Sequence, residues 1–243
     1  MGVAFFDLDR TVISRNSATL WIRFELAEGR ISWRQALRAG AWVLRYSLGA
    51  VDLADPIRRT VASLAGQQEA EVAARTARFH AEAVRPLYRP GAAAALVRHR
   101  AAGDRLVLLT SSSNYVGEAV CRDLGLDACV CNRFEVDAQG RYTGRAHEPL
   151  CFGPGKVVLA ERYATACGVG LAACTFYSDS HSDLPMLEAV GSPVVVDPDP
   201  RLRRHARRQG WPIEDWGVPP RAGRSSELPT PRTPRAGRPG AGR

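Results

Sequence analysis

The sequence predicts an α/β fold built on a parallel sheet, and three apolar runs predict it. Residues 3–11 (VAFFDLDRT) end in two aspartates, residues 106–113 (LVLLTSSS) end in hydroxyls, and residues 174–187 (CTFYSDSHSDLPML) end in aspartates again. Short continuous apolar runs are the pattern of strands buried on both faces. The stretches between them carry helical periodicity, as expected where helices connect parallel strands. Open sheets of this kind hold ligands at the carboxyl ends of their strands, which is where all three runs turn polar.

In the first run, Asp7 and Asp9 are one residue apart, and alternate residues of a strand share a side. One carboxylate can act as a nucleophile and the other as general acid and base, the outline of an aspartate-based phosphoryl-transfer site. The competing reading is a strand end capped by Asp turns. Residues 14–90 change character: helical periodicity runs through SATLWIRFELAEG, ISWRQALRAGAWVLRYSLG and QEAEVAARTARFHAEAV, with Gly29, Gly49 and Pro56 as breaks. Residues 91–216 return to alternating strands and helices, and FEVDAQGRYTGR reads as a hairpin turning near Gly140. RLRRHARRQG after PVVVDPDP reads as a helix with a solvated basic face following the last strand.

The chain has 33 Lys plus Arg, yet Lys156 is its one lysine and the other 32 are arginines. Where arginine is the default cation, a lone lysine marks a position that a wide guanidinium fork does not suit. A compact ammonium fits a tight pocket beside a phosphate. The setting, FGPGK leading into a helix-like VVLAERYA, favours a site over a chance surface residue.

Together these segments resemble the haloacid dehalogenase superfamily, in its phosphoserine-phosphatase-like branch, over most of residues 3–197. DLDRT at 7–11 is similar to the first motif of that family, LLTSSS with Thr110 to the second, Lys156 to the third and SDSHSDLPML to the acidic fourth. The resemblance implies a Rossmann-like three-layer parallel-sheet core (residues 1–13 and 91–216) with an inserted helical C1-type cap (14–90). It implies Asp7 as nucleophile, passing through a phosphoaspartate, and Asp9 as the acid that protonates the leaving oxygen and then activates water. Thr110, Ser111 and Lys156 would bind phosphoryl oxygens, with Thr11 beside them. Mg2+ would be held by Asp7, the Asp9 carbonyl and Asp179, with Asp183 in support. Magnesium suits such an all-oxygen set. Phosphoserine phosphatases of the family carry a glutamate nine residues after the nucleophile, where this chain has Asn16. Asn16, Arg23 and Arg45 are therefore candidate specificity residues, and Arg10 is expected to project toward the cap.

The expected activity is phosphomonoester hydrolysis of a small phosphorylated metabolite, phosphoserine-like or histidinol-phosphate-like. The alternatives are a phosphotransferase, a lipid-phosphate phosphatase at a membrane surface, and a binding module acting through a basic tail. The membrane alternative rests on the Trp, Leu and Arg residues of ISWRQALRAGAWVLRYSLG, for which packing within the cap is the simpler expectation. Residues 217–243 hold six arginines and one glutamate, so +5 of the net +8 lies there, and their Pro/Gly/Ser/Arg composition predicts disorder. Charge without aromatic platforms or a known module predicts no specific nucleic-acid binding. No apolar run approaches the roughly 18 residues of a membrane span. The first motif begins within seven residues of Met1, leaving no room for a signal peptide, and the six cysteines lack finger-like spacing. A cytoplasmic protein is expected; oligomeric state is not legible.

Overall fold

The computed structural model describes residues 2–47 and 54–219, with side chains left out at 43–47 and 54–56. Six parallel strands form one sheet in the order β3-β2-β1-β6-β7-β8. They are β1 (Val3–Phe6), β2 (Arg105–Ser113), β3 (Ala128–Asn132), β6 (Cys174–Ser178), β7 (Ser192–Val196) and β8 (Ile213–Glu214). The remaining pair, β4 (Phe134–Val136) and β5 (Tyr142–Ala146), is the antiparallel hairpin expected around Gly140.

Strand alternation explains the three layers. Ala4 and Phe6 of β1, with Leu106 and Leu108 of β2, face one core, where α5 (Pro90–Ala101) and α6 (Asn114–Leu124) pack. Val3, Phe5, Val107 and Leu109 face the other, covered by α7 (Pro154–Ala166), α8 (Leu184–Ala189) and α9 (Pro200–Gln209). With period-2 side chains and helices on both faces, every position of β1 is buried, so the strand reads as an unbroken apolar run. β1 lies between β2 and β6 at the sheet centre, where strand order reverses and a crevice opens at the carboxyl ends.

Among the described residues, four helices lie between β1 and α5: α1 (Ser17–Ala27), α2 (Trp33–Ser47), α3 (Ala54–Ala62) and α4 (Glu69–Phe79), the last running on through a π turn at His80–Val84. Gly29 takes the positive φ of 70° that ends α1. Pro56, expected as a breaker, lies instead in the first turn of α3, where its missing N–H costs no helical bond. Trp21, Phe24 and Phe79 knit α1 to α4, with ring centroids 5.0–5.8 Å apart. The Gly66–Glu69 link is stitched to the hairpin by Gly66 N–H to the Tyr142 carbonyl (2.9 Å), Tyr142 N–H to the Gln67 carbonyl (3.0 Å) and Glu69 N–H to the Gly140 carbonyl (2.8 Å).

The chain end brings a correction. β7 is not the last strand: residues after α9 add β8, whose register pairs Val195 with Ile213. Trp216 then packs on Phe6 and Tyr177, and Gly91 at the start of α5 is small enough to admit its ring. Arg89 pairs with Asp197 and donates to the Gly217 carbonyl at 3.0 Å. The basic tail expected over 217–243 lies outside the described residues from 220 onward. Among the described residues no helix is long and apolar enough to cross a membrane.

Candidate active site

β1 stops at Phe6, but the chain follows β6 for one more residue, since the Asp7 N–H donates to the Tyr177 carbonyl at 2.9 Å. That bond delivers Asp7 to the carboxyl edge of the sheet. Asp9 arrives differently from the strand alternation that predicts it. It sits in a tight turn in which Val12 N–H reaches the Asp7 carbonyl (3.3 Å), Ile13 N–H reaches the Leu8 carbonyl (3.0 Å) and Arg10 has φ 59°. A turn can return a side chain to the mouth because its backbone reverses, whereas an extended strand would carry it past the sheet edge. The Asp9 carboxylate is then held by the Ser17 N–H at 2.7 Å and the Asn16 amide at 3.4 Å.

Lys156 is 2% exposed in the first turn of α7. Its ammonium donates to Asp7 Oδ1 at 2.7 Å and to Asp183 Oδ2 at 2.8 Å, and Ser178 Oγ donates to the same Asp183 oxygen at 2.7 Å. Gly155 permits this entry, because a methyl group there would overlap the Leu150 carbonyl. Burial works against the ammonium, but Asp183 and Asp7 outweigh it and hold Lys156 above its ordinary range. Burial raises Asp7 to about 7, against the pull of Lys156 and with help from Asp183 and Asp9. Asp9 is also raised, chiefly by burial, and its bonds to Ser17 oppose the shift. Asp179 is 4% exposed and raised well above the carboxylate range, first by burial and then by Asp7.

The hydroxyl loop after β2 lies beside this cluster. Thr110 is buried, and its Oγ1 accepts the Ser112 N–H at 3.1 Å, which leaves its hydroxyl proton available to another acceptor. Ser112 Oγ meets Ser17 Oγ at 3.0 Å, tying the loop to the start of α1. Ser111 is half-buried, with its carbonyl held by the Asn132 amide at 2.6 Å. Thr11 is fully buried, and its hydroxyl has no hydrogen-bond partner.

Other expectations are placed less directly. Asn16 caps α1 by accepting the Thr19 N–H at 3.0 Å while its amide nitrogen reaches Asp9, so both ends of its side chain are engaged within the chain. Arg23 is exposed on α1. The Arg45 side chain lies outside the described residues. Arg10, expected to reach for the inserted helices, instead sets its Nε 3.4 Å from Asp179 Oδ2.

Two residues of the arrangement are absent from the sequence reading. Ser178 orients Asp183, and its place directly before Asp179 in YSDS was an available signal. Asn132, 2% exposed at the end of β3, spans two loops by donating to the Ser111 carbonyl and accepting the Cys151 N–H at 2.8 Å. Nothing in the local pattern CNRF marks it, because its role exists only when β3, the Ser111 loop and the Cys151 turn meet.

The donor set fits a hard divalent cation. Asp183 is engaged by Lys156 and Ser178, and Asp9 by Ser17; among the described residues no group of three or more His, Cys, Asp or Glu side chains gathers as a metal site. What remains is Asp7, Asp179 and main-chain oxygen, an all-oxygen set that leaves room for water ligands. Asp179 is nearly sealed, and its ion pair is a 3.4 Å contact to an arginine about half exposed. A buried Asp179 raised by burial and by Asp7 is an incompletely neutralised charge, which a cation beside it would relieve.

Comparison with known proteins places this geometry. The family model of haloacid dehalogenase-like hydrolases matches residues 4–188. The chain is 36% identical over 90% of its length to the inhibition of morphological differentiation protein of Streptomyces azureus, covering 79% of that protein. It is 30% identical to the histidinol-phosphatase of Neisseria meningitidis serogroup C (strain 8013), over 87% of this chain and 97% of the other. A crystal structure of a Bordetella pertussis Tohama I protein of unknown function superposes with a TM-score of 0.80 at 31% identity, covering 88% of this chain and 98% of that one. With the aspartate, hydroxyl, lysine and aspartate positions meeting at one sheet edge, the chain belongs to the haloacid dehalogenase-like hydrolase family and is a phosphatase of its phosphoserine-phosphatase-like branch.

Proposed function

We propose that the protein is a magnesium-dependent phosphomonoesterase acting on a small phosphorylated metabolite of the phosphoserine or histidinol phosphate kind, through a phosphoaspartate on Asp7. The observation that carries this reading is the buried Lys156 ammonium held 2.7 Å from Asp7 and 2.8 Å from Asp183. It fixes one Asp7 oxygen and leaves the other to attack phosphorus in line. Thr110, the Ser111 amide and Lys156 bind the phosphoryl oxygens, so that positioning and charge stabilisation carry most of the rate. Asp9, raised by burial, is suited to carry a proton to the leaving oxygen and then to take one from water. Asp7, the Asp9 carbonyl and Asp179 would hold Mg2+, which when bound neutralises the attacking carboxylate and the phosphate. Residues 14–90 serve as the cap that excludes water during the reaction. The free thiols support a cytoplasmic setting.

The test is phosphate release from phosphoserine, histidinol phosphate, sugar phosphates and p-nitrophenyl phosphate, with and without Mg2+. Metal-dependent release from at least one metabolite is expected; release that chelation leaves intact would sink the metal assignment. Asp9→Asn should slow release from alkyl phosphates by roughly 10²–10⁴-fold, the usual range for a lost general acid. The loss should be smaller with p-nitrophenyl phosphate, whose leaving group needs little protonation. Equal losses on both substrates would remove Asp9 from the acid role.

Asp179→Asn offers a readout independent of turnover. Removing a buried, incompletely neutralised charge should raise the melting temperature in chelator at pH 7.5, and should abolish the further rise that Mg2+ gives the wild type. A variant that Mg2+ still stabilises as strongly as wild type would exclude Asp179 as a ligand.

A further inference from the structure

The packing expected for the Trp and Leu residues of α2 does not extend to Trp33 and Leu37, whereas Trp42 is partly buried. Trp33 and Leu37 are 64% and 66% exposed, the two most exposed large apolar side chains among the described residues of the inserted helices. They are one turn apart, and exposed Ala41 continues the stripe another turn on. Arg34 and Arg38 lie along one edge of that stripe, also exposed, with the Arg34 guanidinium 5.4 Å from the Trp33 ring centroid. Exposed Arg30 precedes the helix. From residue 29 to residue 51 the chain has no Asp or Glu, so nothing along this stretch offsets the arginines.

We propose that the outward face of α2 docks the protein on an anionic lipid surface, with Trp33 and Leu37 entering the headgroup layer and Arg30, Arg34 and Arg38 meeting lipid phosphates. An apolar stripe edged by arginines, with Trp at its end, is the composition of helices that lie in a membrane interface. The arginine stems can lie along the apolar stripe while their heads meet phosphate. Charge complementarity names the occupant, because a helix that carries arginines and no Asp or Glu of its own fits a surface bearing the opposite sign. A protein partner is the weaker fit: two large apolar side chains one turn apart are far short of the roughly 800 Å² per side of a stable interface. Shallow insertion of one helix needs no such area. The proposal goes beyond the phosphatase chemistry and stands whether or not the substrate is itself a lipid.

The experiment is co-sedimentation of the full chain with vesicles of phosphatidylglycerol and phosphatidylcholine, and with phosphatidylcholine alone, at low and high salt. Sedimentation with the anionic vesicles alone, weakened by salt, is expected. Each arginine near such a surface is worth about five-fold in partitioning, so Arg34→Glu with Arg38→Glu should weaken it by at least about 25-fold. Trp33→Ser with Leu37→Ser should weaken binding at both salt concentrations. All four positions are exposed, so circular dichroism and p-nitrophenyl phosphate turnover of both variants should match wild type. The proposal is overturned if wild type stays in the supernatant, if the charge-reversed variant sediments like wild type (which would move the binding to the arginines beyond residue 220), or if wild type binds immobilised polyglutamate but no vesicle.

Discussion

Replacing Lys156 with methionine is expected to reduce phosphate release at least about 10³-fold, on the scale of losing a preorganised charge at a transition state, and to destabilise the fold as well. The ammonium is 2% exposed and is hydrogen-bonded to both Asp7 and Asp183. Removing one member of a buried ion cluster typically costs about 3–5 kcal/mol, because the charges left behind lose their compensation. Chemical denaturation at pH 7.5 would measure that loss. Combining Lys156→Met with Asp183→Asn should recover much of the stability, since the carboxylate freed by the first change is neutralised by the second, and should recover none of the turnover. Lys156→Arg is expected to fail in turnover too. The buried Lys156 ammonium is a point donor shared between Asp7 and Asp183, a geometry that a wide planar fork does not match. A fully active arginine variant would mean that this position supplies only charge.

Asp7→Asn is expected to abolish turnover, by at least about 10⁴-fold, because an amide cannot form the phosphoaspartate. Its effect on stability should have the opposite sign. Asp7 in the folded chain ionises at about 7, against 3.8 for a free aspartate, so the folded state holds its proton more tightly than the unfolded state. A group raised in this way contributes stability in full below the unfolded value and loses it as pH rises through the folded one. In chelator, wild type should therefore weaken between pH 4 and pH 8, at up to about 1.4 kcal/mol per pH unit from this group. Asp7→Asn has no such proton to lose, so its denaturation midpoint should vary less across the same interval and exceed that of wild type at pH 8. Equal pH dependence in the two proteins would show that Asp7 is not raised. An inactive variant that is also unfolded at pH 8 would assign Asp7 a structural role.

Much of the fold was legible because burial on both faces leaves a strong imprint on a strand. The runs at 3–6, 106–109 and 174–177 could be little else, and the helices between them left period-3.6 patterns. β8 was not legible: two residues, Ile213 and Glu214, carry no periodicity, and they become a strand only because β7 offers an open edge. α3 was missed because Pro56 reads as punctuation to a local rule and as a tolerated first-turn residue once the helix exists.

For the site, the chain alone nominated Asp7, Asp9, Thr110, Lys156, Asp179 and Asp183, because residue type at a strand end is local information and one lysine among arginines is a count. Tertiary structure decided how they divide their work. Asp183 turns to Lys156 and Ser178, Arg10 turns back to Asp179, and Asn16 spends its amide on Asp9 and the first turn of α1. It also decided that Trp33 and Leu37 face outward and that Asn132 bridges two loops. The physical reason is the same in each case. Hydrogen bonds, desolvation and exposure depend on neighbours far away along the chain, such as Lys156 and Asp7 at 149 residues' separation, so no local pattern encodes them.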